Sequence, residues 1–255
     1  MSDYLEPNID KYDAINIIKN SIEDDKSFLF TRFGDGEFWI IKEELNDIRL
    51  NRIKNEWLVN DNNYKKILKK VRFDLIECFN NSDLIGIMGR NHNEYGVSIN
   101  YDPNTWSIKS DLAKKIGIHN SKITDHMLSR SNEIGNVNNF KKILNGRPIH
   151  VISPNTDFFI KNNLSKILDC KITYTKITRK PNSVIYNREN LLKNLDKINE
   201  NIVIFGCGAG GKFIGSYLNK NHNKICLDFG ATLDAWANKN TRSWFKSTQK
   251  YLKII

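Results

Sequence analysis

The chain has 255 residues, 40% of them hydrophobic and 11% aromatic, which is enough for one large domain with a full core and short for two independent ones. It holds no run of about 18 apolar residues, and its start, MSDYLEPNIDKYD, lacks the basic segment and apolar stretch of a secretory signal, so a cytoplasmic protein is expected. The excess of 39 Lys+Arg over 29 Asp+Glu, a net charge of +10, suits nucleic acid, an anionic membrane face or phosphorylated substrates. Because the basic residues are spread over the whole chain, a nucleic-acid module is disfavoured, and a peripheral membrane association stays open.

Tyr12 to Ile22 places Ala14, Ile15, Ile17, Ile18 and Ile22 on one side and predicts an amphipathic helix. Ser27 to Phe33 is a short apolar run that breaks at Gly34, so a strand should feed a polar turn, Asp35-Gly36-Glu37, and then a helix-like FWIIKEEL. Asn63 to Phe79 carries Ile67, Leu68, Val71, Leu75, Ile76 and Phe79 on one stripe with Lys and Arg opposite, which predicts a long surface helix. Asp83 to Met88 reads as a buried strand ending at Gly89-Arg90 and followed by a polar loop, Asn91 to Trp106; Arg90, Asn91 and His92, just past the strand, stand where an open sheet presents ligand contacts, the alternative being a plain polar loop.

Further along, Ile108 to Ile116 and Val137 to Leu144 fit helices, Pro148 to Ser153 a strand, Asp157 to Leu168 a helix capped by Thr156 or Asp157, and Lys171 to Lys176 a weaker strand. The last third is the clearest: a helix at Leu191 to Ile198, a strand at Ile202 to Phe205, a glycine loop at Gly206 to Gly211, a helix at Lys212 to Leu218 and a strand at Lys224 to Asp228. Strands alternating with helices predict an α/β, Rossmann-like fold, a mostly parallel sheet with helices on both faces in a single domain, with its core at about residues 12–245. Cys78, Cys170, Cys207 and Cys226 form no CxxC pair, which argues against a zinc site or a disulfide framework.

Two motifs carry chemistry. Gly206-Cys207-Gly208-Ala209-Gly210-Gly211 matches G-x-G-x-x-G between a strand and a helix, with Asp228 closing the next strand. Such glycines allow a tight turn and close backbone approach, and a helix N-terminus attracts phosphate; the alternative is a turn that only packs helix on strand. The motif stands too late in the chain for a nicotinamide dehydrogenase, and a SAM-dependent methyltransferase normally places it early. The second motif is Asp35-Gly36-Glu37, with Arg32 three residues before it. Carboxylates this close repel unless a cation compensates, and Mg²⁺ or Mn²⁺ takes one or two protein carboxylates plus diphosphate oxygens and water; the alternative is an acidic helix N-terminus that ion-pairs with Arg32.

Together, RFGDGE, GCGAGGKFIG and LDFGATLDAWANKNTR resemble the GT-D-type glycosyltransferases. That resemblance implies a D-x-E motif, Asp35 and Glu37, serving both the reaction and a Mn²⁺ or Mg²⁺ ion, and a donor site matched by Arg32, Gly206, Gly208, Gly211, Lys212, Asp228 and Asp234. It implies a nucleotide-sugar donor, a UDP-sugar first among them, and a glycan, protein or lipid-linked acceptor. Residues 89–147 match no motif. Candidate proton acceptors are Glu37, Glu94, Asp157 and His126, and Trp236 with Arg242 and Trp244 could form a stacking wall for a ring, or else anchor the C-terminal segment on the core.

Overall fold

A computed structural model gives the structure of the protein and describes residues 3–57, 64–89, 102–119, 122–178, 183–186, 188–237 and 239. Arg90, Asn91, His92, Glu94, Arg242 and Trp244, candidates from the sequence, lie outside the described residues. In chain order the elements are α1 (Lys11–Glu23), β1 (Phe28–Phe33), α2 (Asp35–Lys42), α3 (Asp47–Trp57), α4 (Tyr64–Asn81), β2 (Leu84–Ile87), α5 (Pro103–Trp106), α6 (Ser110–Lys115) and β3 (Ile123–Asp125). A 3-10 turn at His126–Arg130 leads to α7 (Val137–Leu144), β4 (Ile149–Ser153), α8 (Thr156–Lys161), α9 (Leu164–Leu168) and β5 (Ile172–Lys176). The rest comprises α10 (Ser183–Tyr186), α11 (Arg188–Leu195), β6 (Ile202–Phe205), α12 (Ala209–His222), β7 (Ile225–Asp228) and α13 (Ala231–Trp236).

The seven strands form one sheet in the order β3-β2-β1-β7-β6-β4-β5, and every pair is parallel. The α/β fold with a parallel sheet and helices on both faces, in a single domain, is therefore as the sequence predicts. Alternation along each strand sends side chains to opposite faces. Ile202 and Ile204 of β6 join the layer of α1, α7, α9 and α13, whereas Val203 and Phe205 join the layer of α10, α11 and α12. Burial on both faces is why β2 and β6 read as unbroken apolar runs and β1, β4 and β7 as largely apolar ones.

Strand order decides where a ligand can sit. The chain runs β1 to β2 to β3 toward one edge, crosses the sheet, and returns so that β7, the last strand, pairs with β1 on its other side. Neighbouring strands whose connections leave in opposite directions open a crevice at their carboxyl ends; here β6 leads on to β7 and β4 to β5, so the crevice opens between β6 and β4, and the carboxyl ends of β7 and β1 follow beside it.

Several boundaries differ from the sequence expectation. Helix α12 begins at Ala209, so Gly210 and Gly211 are helical and only Gly206 to Gly208 form the loop. The helix expected over 157–168 is two short ones, broken where Asn163 adopts a left-handed backbone at φ +52° and accepts from the Lys166 N–H at 3.4 Å. Asn155, not Thr156 or Asp157, stands at the N-cap of α8. Asp157 instead pairs with Lys176 at the sheet edge. The helix expected from residue 108 starts at Ser110, because Ile108 is extended and its carbonyl accepts from the Leu5 N–H at 2.9 Å.

Candidate functional site

The site grows from the end of β1. Phe33 turns toward Phe38 and Phe79 in the layer of α2 and α4, so its neighbour Arg32 leaves the opposite face of the strand. Arg32 is 4% exposed. Its backbone N–H donates to Asp228 Oδ2 at 3.3 Å and its Nη2 to Asp228 Oδ1 at 3.4 Å, while Nε and Nη1 find no partner among the described residues. Two glycines clear its path: a Cβ on Gly86 of β2 would stand 3.1 Å from Arg32 Cγ, and one on Gly230 would stand 1.7 Å from Nη2.

Asp228 ends β7 and receives a second cation. Lys212, in the first turn of α12, approaches Asp228 Oδ2 at 2.9 Å and Glu37 Oε1 at 3.3 Å. The D-x-E turn and the helix after the glycine loop, far apart in sequence, thus meet at one lysine. Glu37 reaches back over the start of α2 and accepts from the Gly34 N–H at 3.1 Å. Asp35, two residues away, pairs with Arg52 of α3 at 2.7 Å, and α3 is held there by Arg49 and Arg52 stacking over the Trp39 ring at 5.2 and 5.1 Å.

Burial alone would lower the affinity of Lys212 for its proton, but Asp228 and Glu37 outweigh it and raise its pKa. Burial would likewise push the Asp228 carboxyl up, yet Lys212 and Arg32 hold it below its ordinary value. Asp35 goes the other way: burial and the neighbouring Glu37 raise it more than Arg52 lowers it. Arg32, Lys212 and Arg52 carry three positive charges, and Asp35, Glu37 and Asp228 three negative ones. The six groups cancel. A diphosphate brought among them gains little unless another cation arrives with it.

That balance bears on whether a metal fits. Among the described residues no group of three or more His, Cys, Asp or Glu side chains could hold one. Asp35 and Glu37 offer two hard oxygen donors on one turn, which matches a Mg²⁺ or Mn²⁺ ion that takes the rest of its shell from diphosphate and water. Asp35 is also a carboxyl whose surroundings call for more positive charge. The residues fit an ion that arrives with its substrate rather than a preformed cage.

The glycines have separate tasks. Gly208 holds φ +61° at the entry to α12. A Cβ on Gly206 would stand 2.8 Å from the Gly230 carbonyl oxygen, so the β6 and β7 loops touch there. Gly211 lies against the Phe205 ring, where a Cβ would meet Cδ2 at 3.1 Å, so it serves helix-on-strand packing. Asp234 of α13 accepts from Asn155 Nδ2 at 2.8 Å and ties the end of β4 to the loop after β7, outside the ion-pair cluster. The pairing of Arg32 with the D-x-E carboxylates does not form, because Asp228 takes its guanidinium.

Trp236 is no stacking wall: it is fully buried, donates from Nε1 to the Gly135 carbonyl at 2.6 Å and packs on Phe140 and Phe229. Of the proton acceptors, Glu37 belongs to the turn itself and His126 lies beside it, with Nε2 3.8 Å from where a Gly34 Cβ would stand. Burial pushes the Cys78 thiol up to about 12 and the Cys170 thiol to about 11, and raises Cys207 and Cys226 as well, which keeps all four protonated. Arg52, Gly86 and Gly230 are the site residues that sequence reasoning missed; a glycine inside or just after a buried strand is the signal of close approach that marks the last two.

A family model for the GT-D fold-like domain matches residues 9–236. The chain belongs to the GT-D-like family. Two solved structures are similar to this GT-D-like chain. One, described as the selenomethionine-substituted structure of domain of unknown function 1792, is 14% identical with a TM-score of 0.59, over 89% of this chain and 79% of that one. The other, whose description states that the highly conserved domain of unknown function 1792 has a distinct glycosyltransferase fold, is 12% identical with a TM-score of 0.57, over 92% of this chain and 82% of that one. At these identities the likeness shows the fold alone. No curated protein matches in sequence. Among the described residues of this GT-D-like chain no helix is long and apolar enough to cross a membrane.

Proposed function

We propose that this GT-D-like chain is a metal-dependent glycosyltransferase that moves a sugar from a nucleoside-diphosphate donor, a UDP-sugar first among them, to a glycan, protein or lipid-linked acceptor. The observation that carries the reading is the buried cluster in which Lys212 joins Asp228 to Glu37 at the carboxyl ends of β1 and β7. Asp35 and Glu37 would hold the Mn²⁺ or Mg²⁺ ion, which when bound supplies Lewis-acid stabilisation of the departing diphosphate. Lys212 and Arg32 face the same diphosphate charge, Lys212 as a point charge and Arg32 through its unpartnered Nε and Nη1. Gly206 and Gly208 let the backbone approach the donor, and Gly211 seats α12 behind them.

In the transfer the acceptor oxygen bonds to the anomeric carbon, the bond from that carbon to the diphosphate oxygen breaks, and the hydroxyl proton passes to a base. His126, beside the D-x-E turn, is placed to accept it, and Glu37 is less free because Gly34 and Lys212 already engage its two oxygens.

Thermal-shift measurements test the reading. UDP should stabilise the chain only when Mn²⁺ or Mg²⁺ is present, and Asp35→Asn or Glu37→Gln should abolish that shift while leaving the fold intact. Stabilisation by SAM or NAD without metal, or retention of the UDP shift in both variants, would reject the proposed roles. A donor-hydrolysis screen over common sugar nucleotides then identifies the sugar.

A further inference from the structure

A second site lies on the outer side of α2, α3 and α4. A cavity of about 330 Å³ opens between these helices, with Ile40, Leu50 and Leu68 lining it and Lys65, Lys69 and Arg72 around it. Positions 65, 68, 69 and 72 form one stripe of α4, so the apolar and basic residues of the cavity alternate on a single helical face. Arg72 is partly engaged, donating to the Ile41 carbonyl at 2.9 Å and standing 3.7 Å from Glu43, the one acidic residue of the lining among the described residues. Lys65 and Lys69 form no ion pair among the described residues and are exposed.

The neighbouring stripe of α4 continues the pattern. Lys66 and Lys70 are exposed and without ion pairs among the described residues, and one turn on, Phe73 is 69% exposed. The acidic residues further along the helix are spoken for, Asp74 by Arg188 and Glu77 by Lys220. Two lysines therefore line an aliphatic hollow, and two more with an exposed aromatic ring stand on the next stripe of the same helix. Basic side chains attract anionic headgroups, an exposed ring can enter the headgroup boundary, and an apolar hollow accepts hydrocarbon.

We propose that this face docks on an anionic phospholipid bilayer, with a lipid phosphate held between Lys65 and Lys69 and apolar lipid seated on Ile40, Leu50 and Leu68. The inference stands apart from the transferase reading, since none of these residues belongs to the buried ion-pair cluster. A nucleic acid would use the lysines but gain nothing from an aliphatic floor, and the Tyr64 ring on the same helix is already covered by Lys54 at 4.3 Å. Because α2 carries Asp35 at its start and Ile40 in the hollow, docking would set the D-x-E turn close to the membrane surface.

Flotation of the full chain with phosphatidylcholine vesicles, with and without phosphatidylglycerol, tests this. Binding is expected only to the phosphatidylglycerol vesicles and should weaken with added salt. Lys66→Gln with Lys70→Gln should reduce affinity about 30-fold, from roughly fivefold per lysine near a charged surface. Lys65→Gln with Lys69→Gln removes the same charge and should cost more, because it also removes the headgroup contact at the hollow. All four positions are exposed, and unchanged melting temperatures confirm that the variants fold. No binding to phosphatidylglycerol vesicles would overturn the proposal, and equal losses in the two pairs would overturn the hollow as the lipid site. Equal competition by free glycerol phosphate, or tighter binding to an RNA oligonucleotide than to vesicles, would also overturn it.

Discussion

Replacing Gly230 with alanine sets a methyl carbon where the structure has the Arg32 guanidinium, 1.7 Å from Nη2 and 3.0 Å from Cζ. Two costs combine. The backbone there, φ +44° and ψ −121°, is one that side chains other than glycine's rarely adopt, a strain of about 1–3 kcal/mol. The guanidinium must also move, which breaks its contact with Asp228 in a buried setting and adds about 2 kcal/mol. The sum, about 3–5 kcal/mol, corresponds to a fall in melting temperature of roughly 6–20 °C for a chain of this size.

Urea unfolding separates the two parts. Gly117→Ala is the control, since Gly117 has φ +82° with nothing within 4 Å of the added carbon, and it should cost only about 1–2 kcal/mol of left-handed strain. In an Arg32→Ala background the cost of Gly230→Ala should shrink to backbone strain alone, leaving a coupling energy of about 2 kcal/mol between the two positions. If Gly230→Ala costs the same with and without Arg32, the close approach is not what glycine serves at this position.

Asp228→Asn should destabilise the chain by about 3–5 kcal/mol, because Lys212 and Arg32 would remain buried beside a neutral amide. The folded-state pKa of Asp228 is lowered, so its stabilisation is full above the ordinary carboxylate range and is lost as pH falls through the folded value; unfolding titrations should show that acid limb in the wild type and not in the variant. Asp35 has the opposite sign. Its folded-state pKa is raised, so the fold gains from its protonation as pH falls, and Asp35→Asn should stay within about 1 kcal/mol of the wild type at neutral pH. The Mn²⁺-dependent UDP shift needs the carboxylate, so protons compete with the ion for Asp35: the shift should weaken as pH falls and be restored by more Mn²⁺, and a shift retained in Asp35→Asn would remove Asp35 from the metal site.

Much of the scaffold was readable because a parallel sheet buries both faces of its inner strands. SFLFTRF, DLIGIM, PIHVIS and IVIF announce themselves as runs. Strand β3 did not, since Ile123–Asp125 is three residues long and ends in a buried aspartate. Helix α3 escaped because DIRLNRIKNEW is too polar for its few apolar residues to form a stripe. In the site, Arg32 and Asp228 are both expected as ligand groups, but their partnership is hidden: ion pairing across 196 residues leaves no local trace. The glycine run misled by one turn, since glycine's poor helix propensity suggested a loop where close packing against Phe205 requires a helix without side chains. Gly215, another such contact with a Cβ position 2.6 Å from the Phe205 ring, carried no sign of its role.

The place of β1 at the centre of the sheet has a temporal consequence. One of its edges can zip to β2 soon after that segment appears, but the other waits for β7, and so does Arg32 for its counter-ion. With 196 residues between Arg32 and Asp228 and ribosomal elongation at about 5–20 residues per second, the nascent chain carries an open strand edge and an uncompensated guanidinium for roughly 10–40 s. Until the closing strand arrives, the growing polypeptide is a template for wrong pairings, and shielding during synthesis matters more for this topology than for one whose middle strands are neighbours in sequence.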